Sequence, residues 1–266
     1  MTKSNIAVLA LGAVFAIAAA ILPAGAAVKT QTVDYKIGND NFEGFLAYDD
    51  AAKGKRPGVV IYPSYTSIGD NEREHAERLA KLGYVAFVAD IYGKGIHPAA
   101  GKDAAAEMSK YVQNRALYRE RATAGLDELR KNPRVNANEI AAIGYCFGAV
   151  GALELARSGA PIKDVVAFHI SNLTTPAPED DKNIKAHVLV LQGADDPNTP
   201  QDKRAEFEKN MDNAHVDWQF VSYGGTVHCY TDAKAGSDMS HGCAYNPQSE
   251  KRSWQAMNDL FKATLR

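Results

Sequence analysis

NEIAAIGYCFGAVGALELARSG, residues 138–159, runs from an apolar segment through a cysteine flanked by Gly144 and Gly148 into an alanine-rich segment that stops at Gly159. The part up to Cys146 reads as a strand buried on both faces, and the part from Phe147 as a helix. A buried structural cysteine needs no glycine on either side. A cysteine carried on a sharp strand-to-helix turn does, because only small neighbours let the backbone bend that tightly and leave the sulfur exposed. The stretch therefore defines one strand–helix unit with a thiol presented at its joint.

The same alternation extends in both directions. "RPGVVIYPS", "YVAFVADIYG", "DVVAFHIS", "AHVLVLQG" and "VDWQFVSYGG" are short apolar runs rich in β-branched residues. Between and after them, "NEREHAERLAKLG", "AAAEMSKYVQNRALYRERATAGLDELRKNP" (with one break), "PQDKRAEFEKNM" and "PQSEKRSWQAMNDLFKATL" have helical periodicity. Ahead of them, "TQTVDYKI" and "FEGFLAYD" alternate like the two strands of a hairpin. Buried strands alternating with helices predict an α/β fold, a mostly parallel sheet with helices on both faces. No repeat or linker interrupts the pattern, so residues 27–266 are read as a single domain.

Composition agrees with a large packed core: 266 residues, 45% hydrophobic and 23% charged, with a formal charge of −2. That balance, without a basic stripe, argues against nucleic acid as a partner. The amino terminus is set apart. Lys3 precedes an uncharged stretch, Ile6–Leu22, followed by Pro23 and the small residues Ala24-Gly25-Ala26. This is the pattern of a cleaved secretory signal peptide over residues 1–26, leaving a periplasmic or secreted protein with no membrane segment. Outside the cytosol disulfides persist. With three cysteines, Cys146, Cys229 and Cys243, the simplest partition joins the two neighbours, Cys229 and Cys243, and leaves Cys146 free.

Ligands of such sheets bind beyond the carboxyl ends of the strands. Cys146 follows "AAIGY", Ser64 and Tyr65 follow "VVIYP", Asp195 and Asp196 follow "VLVLQGA", and His228 follows "QFVSYGG". A cysteine, an acid and a histidine thus share one rim. Gly144-x-Cys146-x-Gly148 has the form of the nucleophile elbow of α/β-hydrolases, with sulfur in place of oxygen, and nucleophile, acid and histidine follow in those enzymes' chain order. The amino terminus of the following helix favours thiolate over thiol. The histidine would take the proton, and the acid would orient the imidazole.

At these residues the chain resembles the dienelactone hydrolase family: "GYCFGA" its cysteine elbow, "LQGADDPNTP" its acid loop, "GGTVHCYTD" its histidine loop and "AYNPQSEKRSWQAMNDLF" its last helix. The resemblance implies an α/β-hydrolase fold and a Cys146–Asp196–His228 triad. It selects Asp196, three residues after Gly193 and four before Pro200, over Asp195. It further implies an oxyanion hole from the backbone N–H groups of Phe147 and Tyr65, and hydrolysis of a small ester or lactone through a thioester, with no cofactor.

Two departures bear on substrate. Where many family members carry a glutamate this chain has Ser64, and where dienelactone-cleaving members hold the substrate carboxylate with arginines it has Lys94 and Asp232. An acid at the second position would repel an anionic lactone. Ser64 also keeps open a non-catalytic protein that binds a small ligand in the same cleft; a thiol-redox role is disfavoured because Cys146 has no C-x-x-C partner. His75 and His215, among charged neighbours, are expected in solvent, and His187 at a strand start is expected to be structural. His169, after "DVVAF", is placed to face the cleft and joins Ser64 and Lys94 as a candidate substrate contact. His228, Cys229, His241 and Cys243 lack an H-E-x-x-H or paired C-x-x-C pattern, and no metal site is expected.

Overall fold

The structure, a computed structural model, describes residues 27–265. The expected signal peptide, residues 1–26, lies outside the described residues.

Eight strands form one sheet in the order β1-β2-β4-β3-β5-β6-β7-β8. The entry hairpin is antiparallel: β1 (Val28–Ile37) pairs with β2 (Asp40–Asp49), and β2 pairs antiparallel with β4 (Val85–Val88). From β4 onward every pairing is parallel, through β3 (Arg56–Tyr62), β5 (Val135–Tyr145), β6 (Asp164–Phe168), β7 (His187–Gly193) and β8 (Trp218–Tyr223). Chain direction therefore brings the carboxyl ends of β3, β5, β6, β7 and β8 to one edge.

The period-two alternation of strand side chains divides the core in two. Val60 and Tyr62 of β3 pack on one face with residues from α2 (Lys102–Gln113), α3 (Arg115–Lys131), α4 (Phe147–Arg157) and α5 (Gln201–Asn213). Val59 and Ile61 pack on the other face with α1 (Asp70–Lys81) and α6 (Pro247–Thr264). The break between α2 and α3 falls at Asn114, whose side chain accepts the Leu117 N–H at 3.1 Å and so starts a new helix.

Two readings are corrected. The apolar run around Phe87 is not a strand to Gly93: it ends at Val88, because the Asp90 carboxylate accepts the N–H groups of Tyr92 and Gly93, both at 3.0 Å, and folds the backbone into a turn. His75 is not in solvent. It lies on the buried stripe of α1 with Glu72, Ala76, Leu79 and Ala80, its ring 4.9 Å from Tyr145 and 5.3 Å from Trp254. Of its charged sequence neighbours, Glu74 is exposed, while Arg78, one turn on, lies over the Trp254 ring at 3.9 Å. Burial in this apolar stack drives its pKa down to about 3, so it is neutral. His215 is exposed, as expected.

Candidate active site

The joint between β5 and α4 is built by close approach. Cys146 has φ 55° and ψ −115°, a positive φ that a side-chain-bearing residue rarely adopts. A Cβ on Gly148 would lie 2.1 Å from the Tyr62 carbonyl oxygen and 2.4 Å from that of Pro63; one on Gly144 would lie 2.2 Å from the Gly148 carbonyl oxygen. Only glycine at both positions lets α4 pass this close to the end of β3. The turn is anchored by its own polar groups, with the Cys146 N–H donating to Phe168 O at 3.1 Å and Ser171 N–H donating to Cys146 O at 3.2 Å. From below, the Tyr118 hydroxyl donates to Phe147 O at 2.8 Å while its ring stacks on Phe147 at 4.6 Å. Cys146 is a free thiol, partly exposed.

Cys146 opens into a cleft of about 510 Å³ whose walls include Ser64, Tyr65, Glu72, Tyr145, His169 and the Cys229–Cys243 pair. Beside it, His228 Nδ1 lies 2.6 Å from Asp196 Oδ2. The Asp196 carboxylate is buried and held on both oxygens, by Gln192 Nε2 at 2.5 Å and by the Asn198 N–H at 2.8 Å. Burial of the imidazole disfavours its charged form, but the Asp196 carboxylate and the Cys146 sulfur outweigh this and push its pKa up to about 10. His228 Nε2 is buried with no hydrogen-bond partner among the described residues. The arrangement can hold a proton at His228 next to a free sulfur. The neighbouring Asp195 instead uses its backbone N–H to tie the loop to Thr226 O at 2.9 Å.

The histidine loop is pinned to β7 by the buried Tyr230, whose hydroxyl donates to Leu191 O at 2.9 Å, and by further ties. His228 N–H donates to Gly242 O and Ala244 N–H donates to His228 O, both at 3.0 Å, forming a one-residue bridge between two otherwise irregular segments. Next to it Cys229, at φ 60°, is disulfide-bonded to Cys243. The disulfide expected from the cysteine count is present, and it joins two of the four side chains weighed as metal ligands.

The remaining candidates divide. His169 does line the cleft. Its ring meets that of His228 edge-on at 4.9 Å, its Nε2 lies 2.8 Å from Thr231 Oγ1, and its Nδ1 is buried without a partner among the described residues. Burial, with the adjacent His228 charge, holds its pKa well below the usual histidine range. Ser64 lines the cleft, with its hydroxyl 3.2 Å from Thr66 Oγ1. Tyr65 has its carbonyl fixed by the Tyr92 hydroxyl at 2.9 Å. Phe147, as the first residue of α4, has an N–H with no carbonyl one turn earlier in the helix to accept it.

Lys94 is not part of the cleft. Its ammonium pairs with Asp34 at 2.6 Å and Glu43 at 3.1 Å, beside a separate surface depression on the entry hairpin. His187, at the start of β7, lies 3.1 Å from Asp164 Oδ1 and has the structural role expected of it.

Glu72 emerges only from the structure. Its buried carboxyl accepts the N–H of Ser64 at 3.2 Å and of Gly69 at 3.0 Å, spanning the loop that carries Tyr65. Burial raises its pKa against the pull of those N–H groups. The sequence signal was the spacing Gly69-x-x-Glu72, in which the third residue of a helix turns back on its cap.

A largely parallel eight-stranded sheet, helices on both faces and a cysteine elbow at the strand ends define an α/β-hydrolase. The chain belongs to the dienelactone hydrolase family, whose profile matches residues 42–265. Among curated relatives it is 25% identical to the probable 2-oxo-3-(5-oxofuran-2-ylidene)propanoate lactonase of Bradyrhizobium sp, over 86% of this chain and 93% of that one. It is 23% identical to a putative carboxymethylenebutenolidase of Synechocystis sp., over 90% and 98%. Among solved structures, a protein designated m3DLH has a TM-score of 0.86 at 40% identity, covering 90% of this chain and 100% of that one. A dienelactone hydrolase-like promiscuous phosphotriesterase from metagenomic libraries has a TM-score of 0.85 at 37% identity, covering 91% and 100%.

Proposed function

We propose that this hydrolase cleaves a small ester or lactone by a Cys146–Asp196–His228 triad. The observation that carries the reading is the 2.6 Å contact of His228 Nδ1 with a buried Asp196, beside a free cysteine held at positive φ on a strand-to-helix turn. Asp196 fixes the imidazole so that Nε2 serves the sulfur, and it stabilises the imidazolium. Cys146 gives its proton to His228 Nε2, and the resulting thiolate attacks the carbonyl carbon, forming a C–S bond while the carbonyl electron pair moves to oxygen. The N–H groups of Phe147 and Tyr65 receive that oxyanion, each contributing on the order of 3 kcal/mol to the transition state. Collapse expels the alkoxide, which takes its proton from His228. Water then adds to the thioester with His228 as base, releasing the acid and restoring the thiol.

A chromogenic short-chain ester tests this. Turnover by the protein should disappear in Cys146→Ala and after thiol alkylation, with the circular dichroism spectrum unchanged. Undiminished turnover in Cys146→Ala would overturn the mechanism, and its absence in the parent would favour the ligand-binding alternative. The phosphotriesterase relative makes a neutral p-nitrophenyl dialkyl phosphate the second substrate to assay. Export to an oxidising compartment is part of the same proposal, supported by the amino-terminal sequence and consistent with the Cys229–Cys243 bond.

A further inference from the structure

Taking the cleft at Cys146 to be the active site as proposed above, we infer that it selects uncharged acyl groups and discriminates against substrates carrying a carboxylate. The charged side chains lining it are Asp70, Glu72, Asp232 and Lys234. The single ammonium is already engaged: Lys234 is ion-paired with Asp70 across the cleft mouth, joining α1 to the histidine loop. Asp232 adds to the negative field on Lys234. Among the described residues no arginine lines the cleft, and Lys94 is turned to Asp34 and Glu43 elsewhere.

The deeper groups offer a carboxylate no partner either. His169 is a buried neutral imidazole. The positive charge of His228 faces the buried Asp196 carboxylate and is matched by it. Glu72 is buried in the wall with both oxygens committed to backbone N–H groups. An incoming carboxylate would exchange water for a cleft holding Asp232 and Glu72, with no free cation to receive it. An uncharged chain meets a lining that also includes Tyr65, Ala100 and the Cys229–Cys243 pair at no such cost.

The test compares p-nitrophenyl hexanoate with mono-p-nitrophenyl adipate, which has the same chain length but ends in a carboxylate. Each rate is divided by the rate of the same ester with a free small thiol. The neutral ester should be favoured at least tenfold in kcat/KM. The ratio should shrink as salt screens the mouth. It should shrink also in Asp232→Asn, which keeps the acceptor for the Lys234 N–H, and in Asp70→Asn, which releases the Lys234 ammonium. Equal or faster turnover of the adipate ester, lost in Cys146→Ala, would overturn the charge selection alone. If neither ester shows Cys146-dependent turnover, the hydrolytic reading falls and this inference with it.

Discussion

The nucleophile and the base of the proposed triad are held in place by different physics. Cys146 sits on a turn fixed by backbone collision: remove the glycines and α4 no longer fits against β3. His228 sits in the segment between β8 and α6, where two short 3-10 turns, Ala233–Ala235 and Met239–His241, replace longer elements and the buried Tyr230, whose hydroxyl donates to Leu191 O at 2.9 Å, is the main anchor in the core. Beyond that anchor, a disulfide, a single β-bridge and an ion pair to α1 hold what glycine-permitted close approach holds at the elbow. The elbow should therefore fail by steric destabilisation, and the histidine loop by loosening.

The sharpest break of the contrast is Gly148→Ala. Its Cβ would overlap the Tyr62 and Pro63 carbonyl oxygens, so α4 must move. We expect a loss of about 3 kcal/mol or more in denaturant unfolding, with turnover abolished.

Next is Asp196→Asn, which should leave the fold intact and lower turnover by roughly a thousandfold or more by releasing His228. Asp195→Asn should be far milder, and reversed effects would move the acid by one position. The same pair has a pH signature. The His228 pKa is raised from 6.5 to about 10 in the folded protein. Its stabilising contribution is therefore fully present below about pH 6.5 and is lost as pH rises through about 10. Asp196→Asn should flatten that alkaline decline in thermal melts.

Replacing both Cys229 and Cys243 by serine loosens the loop without touching the elbow. The chain-entropy argument for a loop of about 15 residues gives a loss of roughly 3 kcal/mol. Turnover should drop about tenfold, while alkylation of Cys146 keeps its rate. Alkylation that slowed in parallel would show the two regions to be coupled.

Glu72→Gln is smaller. An amide has one acceptor oxygen where two N–H groups need one each, so the Tyr65 loop should relax. We expect kcat to fall by about tenfold with KM little changed.

The contrast also accounts for what the sequence disclosed. A steric turn is written in neighbouring residues, so Gly144-x-Cys146-x-Gly148 and the chain order of acid and histidine are readable along the chain. Lys94 misled because its partners, Asp34 and Glu43, lie on the entry hairpin, distant in sequence. His75 misled because charged neighbours in sequence do not exclude a buried stripe: Glu72 shares that stripe and Arg78 covers Trp254, and the periodicity of Glu72, His75, Ala76 and Leu79 was the better guide. Glu72 was hidden for the same reason, as a capping acid whose second bond goes to a loop.

The smallest predicted effect on turnover follows from His75, whose influence is confined to acid pH. Its pKa is lowered from 6.5 to about 3, so the unfolded chain binds the extra proton. Stability is unaffected above about pH 6.5 and falls as pH drops toward 3, by roughly 1.4 kcal/mol per pH unit at most. His75→Phe, which keeps a ring against Tyr145 and Trp254, should shift acid unfolding to lower pH while leaving neutral-pH turnover within about twofold.

The proposed mechanism requires a covalent intermediate on the elbow cysteine. Rapid acid quenching during turnover of p-nitrophenyl acetate, followed by proteolysis and mass spectrometry, reads it directly. One acetyl group is expected on the peptide containing Cys146, labile to hydroxylamine and absent after prior alkylation of that thiol. Turnover at full rate with no acyl group on Cys146, or with the acyl group on another residue, would contradict it.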